Sequence, residues 1–339
     1  MKDHPANNKR IHCLPAICGT VFLIMIAGST AVAQLKLTSE IPSSRQPSQT
    51  TSTPSTTRDQ EQVIVNTDLV TLTVSVADAH GRYVAGIDKK DFKISDNKVS
   101  QQIAFFSDAD LPVSVGIVFD VSDSMSGKKV EKAKEALSTF IQTSHPQDEF
   151  FLIGFSSQPH LLLDKSRDGD AVIKKLSFVE PHGSTALYDA SYLALERITR
   201  GVHPKRVILI ISDGQDNNSR YKFSELRRAL NESDVIVYAI GINEGAGGVR
   251  GRSGNRVLDE LASVSGGKVF FPRNSTRMNE AFEQIALELR HQYSIGYRPS
   301  NFTSDGKWHR IRVKVKPPGE LKRVCVRSRA GYYAFGSLR

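Results

Sequence analysis

The chain has 339 residues and a formal net charge of +9 at pH 7. Hydrophobic residues make up 39% and charged residues 24% of the chain, a globular balance that excludes a protein disordered throughout. The length suffices for one large domain with a smaller one beside it.

The first 33 residues have the pattern of a secretory signal peptide. Basic residues near the start precede an apolar run over 21–26, and residues 31–33, Ala-Val-Ala, match a small-residue cleavage site. We therefore predict that the mature chain begins at Gln34 and is exported to the periplasm or the extracellular medium. An uncleaved membrane anchor is the alternative, because the apolar stretch extended back to Ile11 approaches the roughly 20 residues that span a bilayer.

Two of the three cysteines, Cys13 and Cys18, lie inside this signal. The mature chain then keeps only Cys325 and cannot form an internal disulfide. Because Cys325 lies in an alternating, strand-like run, we expect a buried side chain there and not a reactive thiol. Stability must come from the hydrophobic core.

The segments on either side of the central part have a β pattern. Residues 34–61 are crowded with Ser, Thr, Pro and Gln and predict a disordered tether. Residues 62–110 and 291–339 then show period-two alternation, which is typical of strands. Because each of these two segments is small for a core of its own, we predict that they pack together as one β-sandwich, with residues 111–290 inserted between them.

The central segment, residues 111–290, alternates short apolar runs with amphipathic helical patterns. This is typical of a parallel sheet with helices on both faces, so the predicted fold class is α/β with a doubly wound, mostly parallel sheet, plus the small β-sandwich. The predicted strands are 113–119, 150–155, 207–211, 235–240 and 268–271. The predicted helices are 128–143, 186–199, 223–231, 257–263 and 277–290.

Three polar motifs follow strands or open helices in this segment. They are Asp120-x-Ser122-x-Ser124, Thr185 and Asp213. Each motif alone predicts no more than a helix cap or a turn. Because the carboxyl ends of parallel strands share one edge of the sheet, where ligands bind, we expect the three motifs to converge.

The five side chains offer only oxygen atoms, two of them from carboxylates. Oxygen donors suit a hard cation such as Mg²⁺ and do not suit zinc. Since Mg²⁺ takes roughly six oxygen ligands, a position remains for water or for an incoming carboxylate. Mn²⁺ and Ca²⁺ stay open as alternatives.

Asp120-x-Ser122-x-Ser124, Thr185 and Asp213 resemble the metal-ion-dependent adhesion site of von Willebrand factor A and integrin I domains, and all the positions match. The resemblance covers about residues 111–290, and the flanks are similar to a bacterial secreted subgroup. It implies that the serines and the threonine ligate the ion, while the aspartates do so directly or through water. It also implies a non-enzymatic binding or adhesion protein that ligates the carboxylate of a protein partner through the metal.

Three further acidic residues lie near the motifs. Asp189 occupies the first turn of its helix, where the helix dipole favours a carboxylate, and support of a metal ligand is its alternative role. We expect Asp216 to be solvated and Asp123 to point away from the site.

Residues 245–256 are rich in glycine and arginine and predict a loop on the metal side of the sheet. One hypothesis is that Arg250, Arg252 and Arg256 help to recruit an acidic partner, because arginine pairs well with carboxylates. A disordered surface loop is the alternative.

Other classes of function find less support in the sequence. No Gly-x-Ser-x-Gly elbow and no phosphate-binding glycine loop occurs. A metal-dependent hydrolase is disfavoured because the motif set itself contains no histidine that could act as a general base. A structural or assembly scaffold with a vestigial metal site stays open.

The basic excess belongs to residues 291–339, which hold eleven Lys and Arg residues against two acidic ones. This segment alternates like a strand and lacks the aromatic and basic interleaving of nucleic-acid modules. We therefore predict a solvated sheet face, no nucleic-acid partner, and membrane contact only through an uncleaved signal.

Overall fold

The computed structural model describes residues 69–242, 249–300, 302–317, 319, 321 and 323–334. The predicted signal peptide and the predicted tether lie outside these residues. Among the helices of the described ranges, none combines the length and the apolar character that crossing a membrane requires.

The strands of the described chain are β1 (Val70–Ala77), β2 (Phe92–Asp96), β3 (Val99–Gln101), β4 (Ile103–Ser107), β5 (Val113–Asp120), β6 (Glu149–Phe155), β7 (Pro159–Ser166), β8 (Lys205–Ser212), β9 (Ile236–Gly241), β10 (Val269–Phe270), β11 (Tyr293–Tyr297), β12 (Trp308–Val315), β13 (Cys325–Arg327) and β14 (Gly331–Tyr333). The helices are α1 (Lys128–Gln142), α2 (Gly169–Ser177), α3 (Leu187–Ile198), α4 (Phe223–Glu232), α5 (Val249–Ser265) and α6 (Ser275–Arg290). Strands of the two flanking segments thus enclose a middle part in which strands and helices alternate.

The central sheet has the strand order β10-β9-β8-β5-β6-β7. β7 runs antiparallel to β6, and the other neighbours are parallel. Helices α1, α2 and α6 pack on one face, and α3, α4 and α5 on the other. Every residue of β5 is buried, because this strand lies in the middle of the sheet and is covered on both sides. The predicted α/β fold class is confirmed.

The sequence analysis did not predict two elements of the central part, β7 and α2. β7 is an edge strand whose burial does not alternate strictly, so it lacks the period-two signal. α2 is short, but its start has a cap: Asp168 Oδ1 accepts hydrogen bonds from the amides of Asp170 at 3.0 Å and Ala171 at 3.3 Å. An aspartate in this position is a helix-start signal that was available in the sequence.

The flanking segments form two four-stranded sheets with the orders β13-β1-β11-β4 and β14-β12-β2-β3. β1 pairs with β11, and β2 pairs with β12, so each sheet joins strands from both flanking segments. Buried side chains from the two sheets share one core, to which Val74, Ile94 and Tyr297 belong. The β-sandwich of the predicted fold class is therefore present.

Cys325 is exposed, so the prediction of a buried side chain was wrong. The residue begins β13, an edge strand of its sheet. Its neighbours Val324 and Val326 pack against the core of the sandwich. Because side chains alternate between the faces of a strand, Cys325 lies on the outer face.

A buried glutamate of α6 joins the α/β part to the sandwich. Glu288 has no exposed surface. It accepts hydrogen bonds from the hydroxyls of Ser75 at 2.6 Å and Tyr83 at 2.7 Å, and it forms an ion pair with Arg327. Burial of a carboxylate is unfavourable unless it is paired and hydrogen-bonded, and here all three partners come from the flanking segments. The two parts of the fold are therefore linked through one charge.

We expect the Glu288→Ala substitution to lower the free energy of unfolding by about 2–4 kcal/mol, because it removes the acceptor of two hydrogen bonds and leaves the partly buried Arg327 charge without this partner. Urea denaturation followed by circular dichroism measures this change. Glu283→Ala is the matched control, since Glu283 is exposed on the same helix, and it should change stability by less than about 0.5 kcal/mol. Equal effects of the two substitutions would contradict a linking role for Glu288.

Candidate metal site

Asp120 is the last residue of β5, and none of its surface is exposed. Its Oδ1 accepts hydrogen bonds from the Ser122 hydroxyl at 2.6 Å and the Ser122 amide at 3.0 Å. Its Oδ2 accepts a hydrogen bond at 2.6 Å from the hydroxyl of Ser212, the last residue of β8. The carboxylate is therefore held between the ends of two neighbouring parallel strands.

The loop after β5 presents two hydroxyl groups close together. The side-chain oxygens of Ser122 and Ser124 lie 3.1 Å apart. Ser122 is buried, whereas Ser124 is exposed. The loop is joined to the segment before α3 by a hydrogen bond of 3.1 Å from the Asp123 amide to the Gly183 carbonyl. The side chain of Asp123 is exposed, as expected for a residue that points away from the site.

Thr185 and Asp213 lie on two loops that are bonded to each other. The Thr185 amide donates to Asn217 Oδ1 at 2.8 Å, and its carbonyl accepts from the amides of Asn217 and Asn218, both at 3.0 Å. The Asp213 carboxylate accepts from the Gln215 amide at 3.0 Å and the Gln215 side chain at 3.2 Å. Thr185 and Asp213 are each 4% exposed. Both side chains are thus buried at the same edge of the sheet as Asp120.

Burial raises the pKa of Asp120 to about 6. Hydrogen bonds from Ser122 and Ser212 act in the opposite direction, and the negative charge of Asp213 raises this pKa further. The two carboxylates therefore lie near enough to repel each other. At pH 7 the site holds buried negative charge.

The structure places all five predicted residues at one edge of the central sheet. Their donor set contains hydroxyl and carboxylate oxygens only, which fits a hard divalent cation. Within the described ranges, no three histidine, cysteine, aspartate or glutamate side chains cluster in a way that could hold a metal. A site here has to rely on the hydroxyls as well as on the two carboxylates, and ligation by the five residues stays a prediction.

Ser212 is a site residue that the sequence reasoning did not assign. It is fully buried, and its hydroxyl donates to Asp120 and accepts a hydrogen bond of 3.0 Å from the Gly214 amide. This hydroxyl therefore links the carboxylate to the turn that carries Asp213. Its place directly before Asp213 at a strand end was the available signal.

Two aspartates fasten the loop after β8 to the start of α3. Asp216 Oδ2 accepts a hydrogen bond of 3.0 Å from the Tyr188 amide. Asp189 Oδ1 accepts hydrogen bonds from the amides of Arg220 and Tyr221, both at 2.9 Å. The expectation that Asp216 is solvated was wrong, because it is partly buried and satisfies a free amide in the first turn of the helix. Asp189 stabilises the loop from the helix side.

The first half of α5 lies directly on the turn that carries Asp213. A Cβ atom on Gly254 would approach the Asp213 carbonyl oxygen to 2.4 Å, and one on Gly214 would approach the Gly254 carbonyl oxygen to 2.3 Å. The prediction of a loop was therefore wrong for residues 249–256, which are helical. Glycine disfavours a helix interior by roughly 1 kcal/mol, but here it permits close backbone packing.

Two arginines of this segment, Arg252 and Arg256, project away from the turn that carries Asp213. Arg252 and Arg256 are exposed, and each is two residues from Gly254. Two residues correspond to about 200° around a helix, so both side chains project from the face opposite the glycine contact. The side chain of Arg250 lies outside the described residues.

Comparison with known proteins assigns a family. Residues 114–284 match the family model of the von Willebrand factor type A domain. Over 145 residues the chain is 29% identical to inter alpha-trypsin inhibitor, heavy chain 4, of Mus musculus, a match that covers 37% of this chain and 15% of that protein. Over 182 residues it is 21% identical to an uncharacterized protein of Synechocystis, covering 52% of this chain and 42% of that protein. The chain thus spans less than half the length of both relatives.

Solved structures with a similar fold include two bacterial proteins. The von Willebrand factor domain of the type V pili tip protein Mfa5 from Porphyromonas gingivalis is 14% identical, with a TM-score of 0.45 over 52% of this chain and 95% of that one. An aerotolerance-related membrane protein from Bacteroides fragilis is 23% identical, with a TM-score of 0.44 over 52% of this chain and 98% of that one. Since the family model matches half of the 339 residues, the chain belongs to the von Willebrand factor type A domain family.

Proposed function

We propose that the protein is an exported, non-enzymatic binding protein that holds a divalent cation and uses it to bind a carboxylate of a protein partner. The ligands of the cation are Asp120, Ser122, Ser124, Thr185 and Asp213, and the donor types favour Mg²⁺ over softer metals. Export rests on the predicted signal peptide.

The proposal is carried by the pair of buried carboxylates. Asp120 and Asp213 are almost fully buried, and the charge of one raises the pKa of the other. Their hydrogen bonds come from serine hydroxyls, a glutamine amide and backbone amides, which are all neutral. No ion pair of either carboxylate is found among the described residues, and two buried negative charges in that condition are unfavourable, so a cation at this place neutralises them.

The exposure of Ser124 supports access by a partner. The hydroxyl of this residue lies beside that of buried Ser122, so the ligand set extends from the buried carboxylates to the surface. A cation bound there keeps an open coordination position for an incoming ligand, because the five proposed ligands are fewer than the roughly six oxygens that Mg²⁺ takes. A carboxylate is the protein side chain that fits, because it is both an anion and a hard oxygen donor.

Titration calorimetry of Mg²⁺ into the purified full chain should show binding at one site. The Asp120→Ala variant should lose this binding, because it removes a ligand and half of the buried charge. Asp123→Ala is the matched control: this aspartate lies between the two serines but is exposed, so its loss should leave Mg²⁺ affinity unchanged. Equal Mg²⁺ binding by both variants would rule out the proposed ligand set.

Mg²⁺ affinity should fall as the pH falls through about 6, where the buried Asp120 becomes protonated. A raised pKa means that a proton competes with the cation at pH values where an ordinary aspartate is fully ionised. Below that pKa we expect roughly a tenfold loss of affinity per pH unit, since one proton is displaced. Calorimetry between pH 7 and pH 5 measures the slope, and a flat profile would exclude Asp120 as a ligand.

Selection of peptides from a random phage-displayed library tests the binding role itself. The immobilised full chain should retain peptides in Mg²⁺ and release them in EDTA. Every peptide selected in this way should contain an aspartate or a glutamate. Replacing that residue by its amide should abolish binding, as should Asp120→Ala in the protein, whereas Asp123→Ala should not. Peptide binding that survives EDTA would instead favour a structural scaffold with an unused metal site.

A further inference from the structure

A crevice with a volume of about 390 Å³ lies at the other end of the central sheet from the metal site. It separates the outer face of the sheet containing β1 and β11 from the amino ends of β8 and β9. Its lining includes Thr71, Thr73 and Ser294 from the sandwich, and Lys205 and Arg206 from β8. Clefts between parts of a fold, with volumes of about 300–1,000 Å³, are favoured places for small ligands.

Lys205, in the lining of this crevice, is a buried cation whose hydrogen bonds are incomplete. It is 4% exposed. The contact that the structure gives its ammonium group is to the carbonyl oxygen of Leu289, at 3.5 Å. The carboxylates of Asp110 and Asp148, which attract it, both pair with Arg290, at 3.2 Å and 2.8 Å. An ammonium group has more donors than the single acceptor found for it among the described residues, so Lys205 can also donate to a ligand.

The two arginines of the crevice are engaged by the protein. Arg206 pairs with Asp234 at 3.4 Å. Arg329 donates to the carbonyl oxygens of Thr71 at 2.8 Å and Ser233 at 3.3 Å. The Nε atom of each arginine is nonetheless buried without a hydrogen-bond partner among the described residues, so both guanidinium groups add positive charge to the lining beside the Lys205 ammonium group.

The rest of the crevice offers apolar surface. Phe105 on β4 has about half of its side chain exposed, although it is large and hydrophobic. Leu111 and Ile236 also contribute to the lining. A ligand that satisfies the ammonium group can therefore bury an apolar body against these side chains, which is favourable in proportion to the area removed from water.

We propose that this crevice binds a small monocarboxylate with an apolar body. The carboxylate pairs with the Lys205 ammonium group, and the apolar body lies against Phe105, Leu111 and Ile236. A charge-assisted hydrogen bond of this kind is shorter and stronger than a neutral one, which favours the anion over an uncharged analogue. The site is separate from the metal site and does not depend on the proposed function.

The protonation state of Lys205 agrees with this binding mode. Burial lowers the pKa of its ammonium group to about 8, an effect that Arg290 adds to and that Asp110 and Asp148 oppose. The group is thus still mainly charged at pH 7, but less stably so than an exposed lysine. A bound carboxylate supplies the missing negative charge.

Decanoate and the uncharged 1-decanol are the probes for this site, titrated by calorimetry into the full chain in EDTA, so that the metal site plays no part. We expect saturable one-site binding of decanoate, with 1-decanol weaker by roughly tenfold or more. Lys205→Met should remove this preference, while Lys174→Met, at an exposed lysine of α2, should keep it. Ser294→Phe should block both probes, because the added ring fills the crevice.

Three results would overturn the proposal. They are no saturable decanoate binding by the unaltered chain, a preference for decanoate that persists in Lys205→Met, and undiminished binding in Ser294→Phe. Thermal unfolding of each variant shows whether it is folded. Because Ser294→Phe leaves the lysine in place, it tests the location even where Lys205→Met fails to fold.

Discussion

The burial of the Asp120 carboxylate at the end of the central strand is the constraint on which the surrounding loops depend. A charge without water requires hydrogen bonds, and they come from the loop after β5 and from the end of β8. The β8 turn is in turn bonded to the Thr185 loop and rests on the backbone of α5 at Gly254. The hydrogen-bonded arrangement of the loops at this edge of the sheet therefore depends on the buried carboxylate of Asp120.

The fold class could be predicted because the number of buried faces of a strand determines its sequence pattern. The wholly buried β5 appears as an apolar run, and the sandwich strands appear as alternation. The same reasoning brought Asp120, Thr185 and Asp213 to one edge, since parallel strands end together. These inferences need only local pattern and the direction of the strands.

What escaped prediction depends on contacts that no local pattern contains. The glycines in the first half of α5 indicate a loop, but this part of the chain is helical. Residue 254 is a glycine because the neighbouring turn leaves no room for a side chain there. The alternation around Cys325 was read correctly as a strand, but its burial depended on which face met the core, and the flanking valines occupy that face. Asp216 likewise acquired a role only through the helix that the fold brings beside it.

The insertion of the α/β part between the sandwich strands has a consequence for the order of folding. β1 pairs with β11 and β13, which are both made after the whole α/β part, and the residue opposite Val70 is Tyr297. Closing so long a loop is slow, whereas the parallel sheet can assemble from segments closer together in the chain. During synthesis β1 therefore stays with unpaired edges, a state that favours aggregation, until the last strands are made.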